Sequence, residues 1–255
     1  MENLVAPTGT CPDIVGRSAC AELKLSATTA QQPDGNGEHL RKVLSSKWIK
    51  LPVFALCLVP LGQLVWRAVQ HHLTANPIEY ITHQTGDWTL NFGVITLAVT
   101  PARKLLRLPE LIRFRRMLGL FAFFYGFLHF STWIGLDKFF DWTEMLHDVR
   151  KRPFITAGFT GFTLMIPLAL TSTAGWIRRL GGKRWLALHR LIYVTAIAGV
   201  VHYYWLVKSD VRKPLFYGAL VALLLALRVG FWLAARRGKP AGGPAQQHPI
   251  TAETS

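Results

Sequence analysis

Acidic residues are scarce in this chain of 255 residues: Asp and Glu number 14 against 29 Lys and Arg, and all charged residues together make up 17%. A soluble domain of average composition carries roughly 25% charged residues. So small a charged fraction, on a chain that is 51% hydrophobic, excludes an ordinary cytosolic enzyme. The same apolar fraction excludes a disordered protein. Cysteine is nearly missing as well. Cys11, Cys20 and Cys57 are the only thiols; three cannot build a disulfide framework, and Cys57 stands inside an apolar run. No GxGxxG occurs, so the chain has no recognisable dinucleotide-binding domain of its own. Positive charge is what abounds, with a formal net charge of +15. Whether that excess means nucleic acid depends on where it sits.

Six apolar segments lie between two polar tails: 48–66, 88–102, 117–136, 154–174, 185–207 and 214–233. A spanning helix takes roughly 20 residues, and five of the six reach or approach that length. The second is diluted by Thr89, Asn91, Thr96 and Thr100, and Pro101 is expected to end it. It is kept as a span because the charge pattern of the loops requires it. The sequence therefore predicts an all-α membrane protein, a six-transmembrane-helix bundle over residues 46–235. Residues 1–45, rich in Thr, Ala, Gly, Gln and Pro, read as a disordered tail without the pattern of a signal peptide. Residues 236–255 read as a second polar tail.

The basic residues alternate from loop to loop. Arg41, Lys42, Lys47 and Lys50 precede the first span; Arg103, Lys104, Arg107, Arg113, Arg115 and Arg116 fill the second loop. Arg178, Arg179, Lys183 and Arg184 fill the fourth, and Arg236, Arg237 and Lys239 begin the final tail. By the positive-inside rule these loops and both termini are cytoplasmic. Eight of the nine tryptophans fall at segment ends, where an amphipathic ring favours the interface; Trp142 alone sits within an outer loop. The charge is thus an orientation device, and no nucleic-acid partner is expected.

Ionisable groups at membrane depth are costly and point to function. His129 stands on the third span, and His189 and His202 on the fifth. From the rise per residue, His129 lies roughly 10 Å and His202 roughly 8 Å from the outer ends of their spans, so the two meet at one level. His189 lies about 20 Å from His202 along the axis and roughly 140° around it, so one straight helix does not aim both at one neighbour. Two imidazoles at one depth suit the iron of a b-type haem. Cys-x-x-Cys-His is absent, which excludes covalent c-type attachment, and zinc is disfavoured without carboxylates or thiolates nearby. Proton-relaying histidines in a transporter or channel, or purely structural ones, fit the same pattern. His71, His72, His83 and His147 are expected in outer loops as solvated side chains. Arg115 and Arg116 read as topology determinants first and as anion contacts second, and Arg228 as a snorkelling residue. Phe121, Phe123, Phe124, Tyr125, Phe127, Phe130 and Trp133 suit a flat cofactor or ordinary packing equally. Ala157 and Gly161 form a small-xxx-small pair for helix packing, and Pro167 is expected to kink its helix.

Four stretches, RRMLGLFAFFYGFLHF, KRPFITAGF, LALTSTAGWIRRLGGKRWLALHRLIY and VHYYWLVK, resemble MsrQ, the haem-binding membrane subunits of bacterial methionine sulfoxide reductase systems in the ferric-reductase-like transmembrane superfamily. TGDWTL and LAVTPARKLLR fit as well, and the likeness covers about residues 48–235. The resemblance implies an electron conduit in the bacterial inner membrane. Electrons would come from the quinone pool and pass through one or two haems b, with FMN as a further cofactor. They would leave to MsrP, a periplasmic molybdenum-containing partner that reduces methionine sulfoxide in oxidised proteins. The family's histidines match His129, His189 and His202, with His129 and His202 as the outer pair and His189 at an inner site. The basic outer residues Arg150, Lys151, Arg152, Lys208, Arg212 and Lys213 are then expected to dock the partner or to anchor the flanks. A ferric- or metal-reductase cytochrome, with the same haems and another acceptor, is the competing expectation, and a non-redox transporter the third.

Overall fold

The diluted second segment decides how this bundle is built. In the computed structural model that segment is a helix of 29 residues, α2 (Pro77–Leu105), about 43 Å long at the usual rise. The structure describes residues 42–44, 46, 48–207 and 209–237. It divides into two units, residues 1–49 and 50–255. Of the first, residues 42–44 are helical. Most of both expected tails, with Cys11, Cys20, His39 and His248, lies outside the described residues, as does Lys208 between the fifth and sixth segments.

The second unit is all-helical among its described residues. α1 (Lys50–Val69) precedes α2; a short 3-10 turn (Pro109–Leu111) leads into α3 (Ile112–Thr132), which closes on a π-helical turn (Trp133–Asp137). α4 (Trp142–Lys151), α5 (Pro153–Leu170), α6 (Ala174–Leu188), α7 (Leu191–Leu206) and α8 (Arg212–Arg237) follow. α8 runs two residues into the expected second tail. The most extensive packing is α2 on α3 and α5 on α7, with α8 against α7 and α2, and α1 against α3. Val94, Leu97, Ala196, Val221 and Leu224 make a buried apolar core between α2, α7 and α8.

Among the described residues, four helices are long and apolar enough to cross a membrane: α1, the α3 unit from Pro109 to Asp137, α5 and α8. The pair α6 and α7, bent by 43°, makes a fifth span if counted as one. α2 is long enough but too polar to count by composition. Its polarity is absorbed internally: the hydroxyls of Thr85, Thr89 and Thr96 donate to the carbonyls of Ile81, Thr85 and Phe92 one turn back. Its buried residues include Thr85, Phe92, Thr96 and Leu97. A helix enclosed by its neighbours is not required to be apolar all round.

Two expectations about backbone breaks are corrected. Pro101 does not end the second segment; α2 continues through it to Leu105. A proline removes the hydrogen bond to the carbonyl four residues back, here that of Leu97. Arg228 of α8 takes that place, donating from Nη2 to the Leu97 oxygen at 2.8 Å and from Nη1 to the Tyr193 hydroxyl at 2.7 Å. Arg228 therefore binds inward rather than snorkelling. The expected fifth span, 185–207, is not one helix: it breaks at His189 and Arg190, between α6 and α7. In α1, the buried Tyr125 hydroxyl donates to the Cys57 carbonyl at 2.9 Å and accepts from the Leu61 amide at 3.1 Å. It thereby ties α3 to a carbonyl and an amide four residues apart in α1, next to Pro60.

Candidate functional site

α2, α3, α5 and α7 enclose a cavity of about 660 Å³, within the roughly 300–1,000 Å³ usual for small-molecule and cofactor sites. Along α7 its walls run from Ile192 to Leu206, about 21 Å by helical rise. Phe130, Phe154, Phe159, Phe162 and Met165 give it apolar faces. Phe162 stacks on Phe130 at 4.5 Å and on Phe123 at 5.9 Å, so part of the aromatic crowd on α3 does line the space. Phe121 and Tyr125 instead pack on Phe92, with centroids 5.8 and 5.2 Å away. Phe127 is exposed.

His129 and His202 face each other across this cavity, with ring centroids 6.0 Å apart and planes at 75°. Each ring is held in the same way. His129 Nδ1 lies 2.8 Å from the Thr82 carbonyl, and His202 Nδ1 lies 2.6 Å from the Phe154 carbonyl. A carbonyl only accepts, so each Nδ1 carries the hydrogen and donates it. In the neutral ring Nε2 then keeps its lone pair. Glycine makes both approaches possible. A Cβ on Gly86 would stand 3.1 Å from His129 Cε1, and one on Gly158 would stand 2.7 Å from His202 Nδ1. Each glycine follows its carbonyl by four residues, Thr82 then Gly86 and Phe154 then Gly158. Ring and glycine thus belong to one helical turn and its neighbour.

This donor set fits an iron porphyrin. Two imidazoles 6.0 Å apart, each with Nδ1 committed to a carbonyl and Nε2 left over, are the residues that would hold the iron. The carbonyl bonds are the outer partners that fix tautomer and aim in metal-ligating histidines. No group of three or more His, Cys, Asp or Glu side chains able to hold a bare metal gathers among the described residues. The site is a pair, as axial ligation requires.

His189 is not brought to this pair. It caps α6, stacks on Trp185 at 3.9 Å, and places Nε2 3.2 Å from the Thr171 hydroxyl. That hydroxyl donates to the Pro167 carbonyl at 2.6 Å, so it accepts from His189 Nε2, and Nδ1 is the ring atom left over. Trp185 Nε1 donates to the Thr171 carbonyl at 2.9 Å and steadies the arrangement. Arg115 lies within electrostatic reach of His189, Arg228, Tyr193 and Arg103. The Nε of Arg228 is buried without a partner.

Several residues differ from their expected settings. His83 is on α2 rather than in a loop and stands at the cavity wall beside Asp87. Asp87 is near the Tyr203 hydroxyl, and Tyr217 donates to Asn91 at 2.8 Å, so polar groups of α2, α7 and α8 meet. Arg152, half exposed, pairs its Nε with Asp148 at 3.1 Å, and both line the cavity. The glycine facing His202 is Gly158, which no sequence expectation singled out; of the expected packing pair Ala157 and Gly161, Gly161 does pack on α7, with its Cβ position 3.5 Å from Ala198. The TxxxG and FxxxG spacings were the legible signal for both supports.

Residues 82–200 match the family model described as "Ferric reductase like transmembrane component", a range that holds His129, His189 and most of the cavity wall and ends two residues before His202. The chain is 55% identical over 193 residues to the "Protein-methionine-sulfoxide reductase heme-binding subunit MsrQ" of Herminiimonas arsenicoxydans, covering 75% of this chain and 88% of that protein. The protein of the same name from Ralstonia nicotianae is 50% identical over 202 residues, covering 78% and 93%. Its counterpart in Caulobacter vibrioides is 49% identical over 177 residues, covering 69% and 84%.

Proposed function

From the premise that this chain belongs to the MsrQ family of haem-binding subunits of protein-methionine-sulfoxide reductases, we propose that it carries electrons through one haem b held by His129 and His202. The observation that carries this reading is the facing histidine pair, each with Nδ1 tied to a backbone carbonyl. When bound, the haem supplies a centre that accepts and releases one electron at a time. The protein's part is to hold two neutral imidazoles with their lone pairs aimed inward. Phe130, Phe159, Phe162 and Met165 keep the walls apolar, so burial and the two carbonyl bonds set the potential.

The quinone pool is the donor in this reading, and a periplasmic molybdenum-containing methionine sulfoxide reductase of the MsrP type is the acceptor. The chain lies in the bacterial inner membrane with both termini cytoplasmic, as the loop charges direct. Arg150, Lys151, Arg212 and Lys213, all exposed, offer the acceptor a basic docking face on the outer side. His189 serves an inner site for FMN. Arg115, within reach of His189, is the cation that would meet its phosphate.

The test is the absorption spectrum of the full chain purified after haem-supplemented expression, oxidised and then reduced with dithionite. Haem bands are expected, lost in His129→Ala and in His202→Ala and kept in His189→Ala. A chain without haem bands, or His129→Ala with full haem content, overturns the assignment. Supply of electrons to an MsrP-type reductase in membranes, present with this chain and absent without it, tests the partner separately.

A further inference from the structure

The fifteen residues between the π-helical turn and α5 carry more exposed apolar surface than a loop in water has reason to. Phe139 is 75%, Phe140 62%, Trp142 67% and Leu146 62% exposed. Phe139 and Phe140 both hold positive φ, 45° and 63°, a conformation that costs bulky residues energy. The chain keeps it because both sides are clamped: the Phe140 amide donates to the Ile134 carbonyl at 3.0 Å, and Lys138 Nζ bridges Glu144 at 2.6 Å and Asp148 at 2.7 Å. The effect of the two left-handed residues is to turn both rings outward.

α4 continues the pattern in three stripes. Met145 and Asp148 are buried against the protein. Trp142, Leu146 and Val149, at i, i+4 and i+7, form an apolar stripe beside the buried one, and Thr143, His147, Arg150 and Lys151 form a polar one. One face packed, one apolar and open, and one polar is the pattern of a helix lying in a membrane surface with basic residues toward the headgroups. The segment is also tethered at both ends by helices able to span a bilayer, α3 and α5. The exposed apolar surface of those helices, with Phe127 and Phe159 among it, belongs to the lipid-facing boundary.

We propose that residues 139–151 lie in the membrane–water interface, with Phe139, Phe140, Trp142 and Leu146 in the acyl-chain boundary of a phospholipid leaflet and the Thr143–His147–Lys151 stripe in water. The occupant of the apolar stripe is lipid because the stripe continues the bundle's own lipid-facing surface. The consequence concerns the cavity. Phe139, Asp148 and Arg152 line one end of it, so the segment is a roof pinned to the leaflet, and the polar stripe is the part left open to a soluble partner. The inference rests on the membrane setting of the bundle and not on what the cavity holds.

Single cysteines for spin labels are placed at 142, 143, 146, 147 and 151, with Cys11, Cys20 and Cys57 replaced by alanine. The full chain is reconstituted in phosphatidylethanolamine and phosphatidylglycerol vesicles, and collision with molecular oxygen is compared with collision with a water-soluble nickel chelate. The oxygen-to-nickel ratio at 142 and 146 should exceed that at 143, 147 and 151 by about threefold or more. A label at Phe127 on α3, which is exposed and lies outside the cavity wall, should give a high ratio and reports insertion independently. Equal ratios at all five sites, or the reverse order, overturn the proposal while Phe127 still reads lipid; labels at 142 and 146 that see water and are shielded only by an added partner protein make the stripe a protein-docking surface instead. A second measurement keeps the natural cysteines: the fluorescence lost in Trp142→Phe should be the part quenched by brominated acyl chains and spared by iodide, and the opposite result refutes the placement.

Discussion

Replacing Gly158 by alanine puts a number on the histidine support. An alanine in a helix interior is favoured over glycine by about 1 kcal/mol, so on an open helix face Gly158→Ala would stabilise. Here the new Cβ would stand 2.7 Å from His202 Nδ1 and 2.9 Å from Cε1, closer than such atoms approach. The ring must move, at an overpacking cost of about 1–3 kcal/mol. Moving it also stretches the 2.6 Å bond to the Phe154 carbonyl, with about 0.5–1.5 kcal/mol at stake. The balance is a net loss of about 2 kcal/mol in the geometry that presents Nε2, or roughly thirtyfold in haem affinity. Gly86→Ala is the internal comparison. Its Cβ would stand 3.1 Å from His129 Cε1, so a shift of a few tenths of an ångström suffices and the helix gain of about 1 kcal/mol offsets it. The assay is the rate of haem transfer from purified protein to excess apomyoglobin, with thermal unfolding measured in parallel. Gly158→Ala should lose haem much faster than the parent, and Gly86→Ala at close to the parent rate. A Gly158→Ala protein with parental transfer and a raised melting temperature would show that His202 does not depend on this close approach.

Tyr125→Phe removes the hydroxyl that serves both the Cys57 carbonyl and the Leu61 amide; two buried backbone groups left wanting cost about 1–3 kcal/mol each, and thermal unfolding in detergent should fall accordingly without loss of haem bands. Arg228→Met leaves the Leu97 carbonyl, already deprived of its helical donor by Pro101, without Arg228; a loss of about 1–3 kcal/mol is expected in the same assay, and an unchanged midpoint refutes the role given to Arg228. Lys138 supplies a pH prediction: hydrogen bonds to Asp148 and then Glu144 hold its ammonium above its usual 10.5. A raised pKa contributes stability that is full below 10.5 and is lost as pH rises through the folded value. Unfolding midpoints should therefore fall above pH 10.5, and the part of that fall due to this group should vanish in Lys138→Met, which itself starts lower because Asp148 is left buried beside a weaker partner set.

The histidine pair was legible in the sequence because depth is arithmetic: seven residues before Leu136 and five before Val207 place His129 and His202 at one level whatever the details of packing. The helix break at His189 was not foreseen because that arithmetic assumes one continuous helix. The break at His189 and Arg190 rests on tertiary groups, the Thr171 hydroxyl and the Trp185 indole, that no local pattern around LHRLIY announces. The conflict of roughly 140° between His189 and His202 was already a sign that a straight helix failed. α2 was read too short for a related reason. Composition measures how well a segment suits lipid, whereas this helix is surrounded by protein, and its threonines satisfy themselves along its own backbone. Pro101 was taken as a stop because a proline frees a carbonyl, and the side chain that takes it up is 131 residues away.

The two histidines share more than a level. Each stands on the second helix of a closely packed pair, α3 against α2 and α7 against α5, and each donates to a carbonyl on the first helix that precedes a glycine by four residues. That carbonyl is the one whose helical donor is the glycine amide, so the imidazole adds a second donor to an oxygen with two lone pairs and leaves the ladder unbroken. The ring is thereby fixed by backbone, which cannot rotate away as a side-chain partner can. For a centre that changes charge by one electron, fixed ligands keep the two states alike in geometry, so little has to rearrange when the electron moves. A carboxylate in place of either carbonyl would draw the Nδ1 proton and push negative charge onto the ligand, stabilising the oxidised state. Two neutral carbonyl supports avoid that bias, and the spacing that builds them, Thr82 to Gly86 and Phe154 to Gly158, is the same on both sides of the cavity.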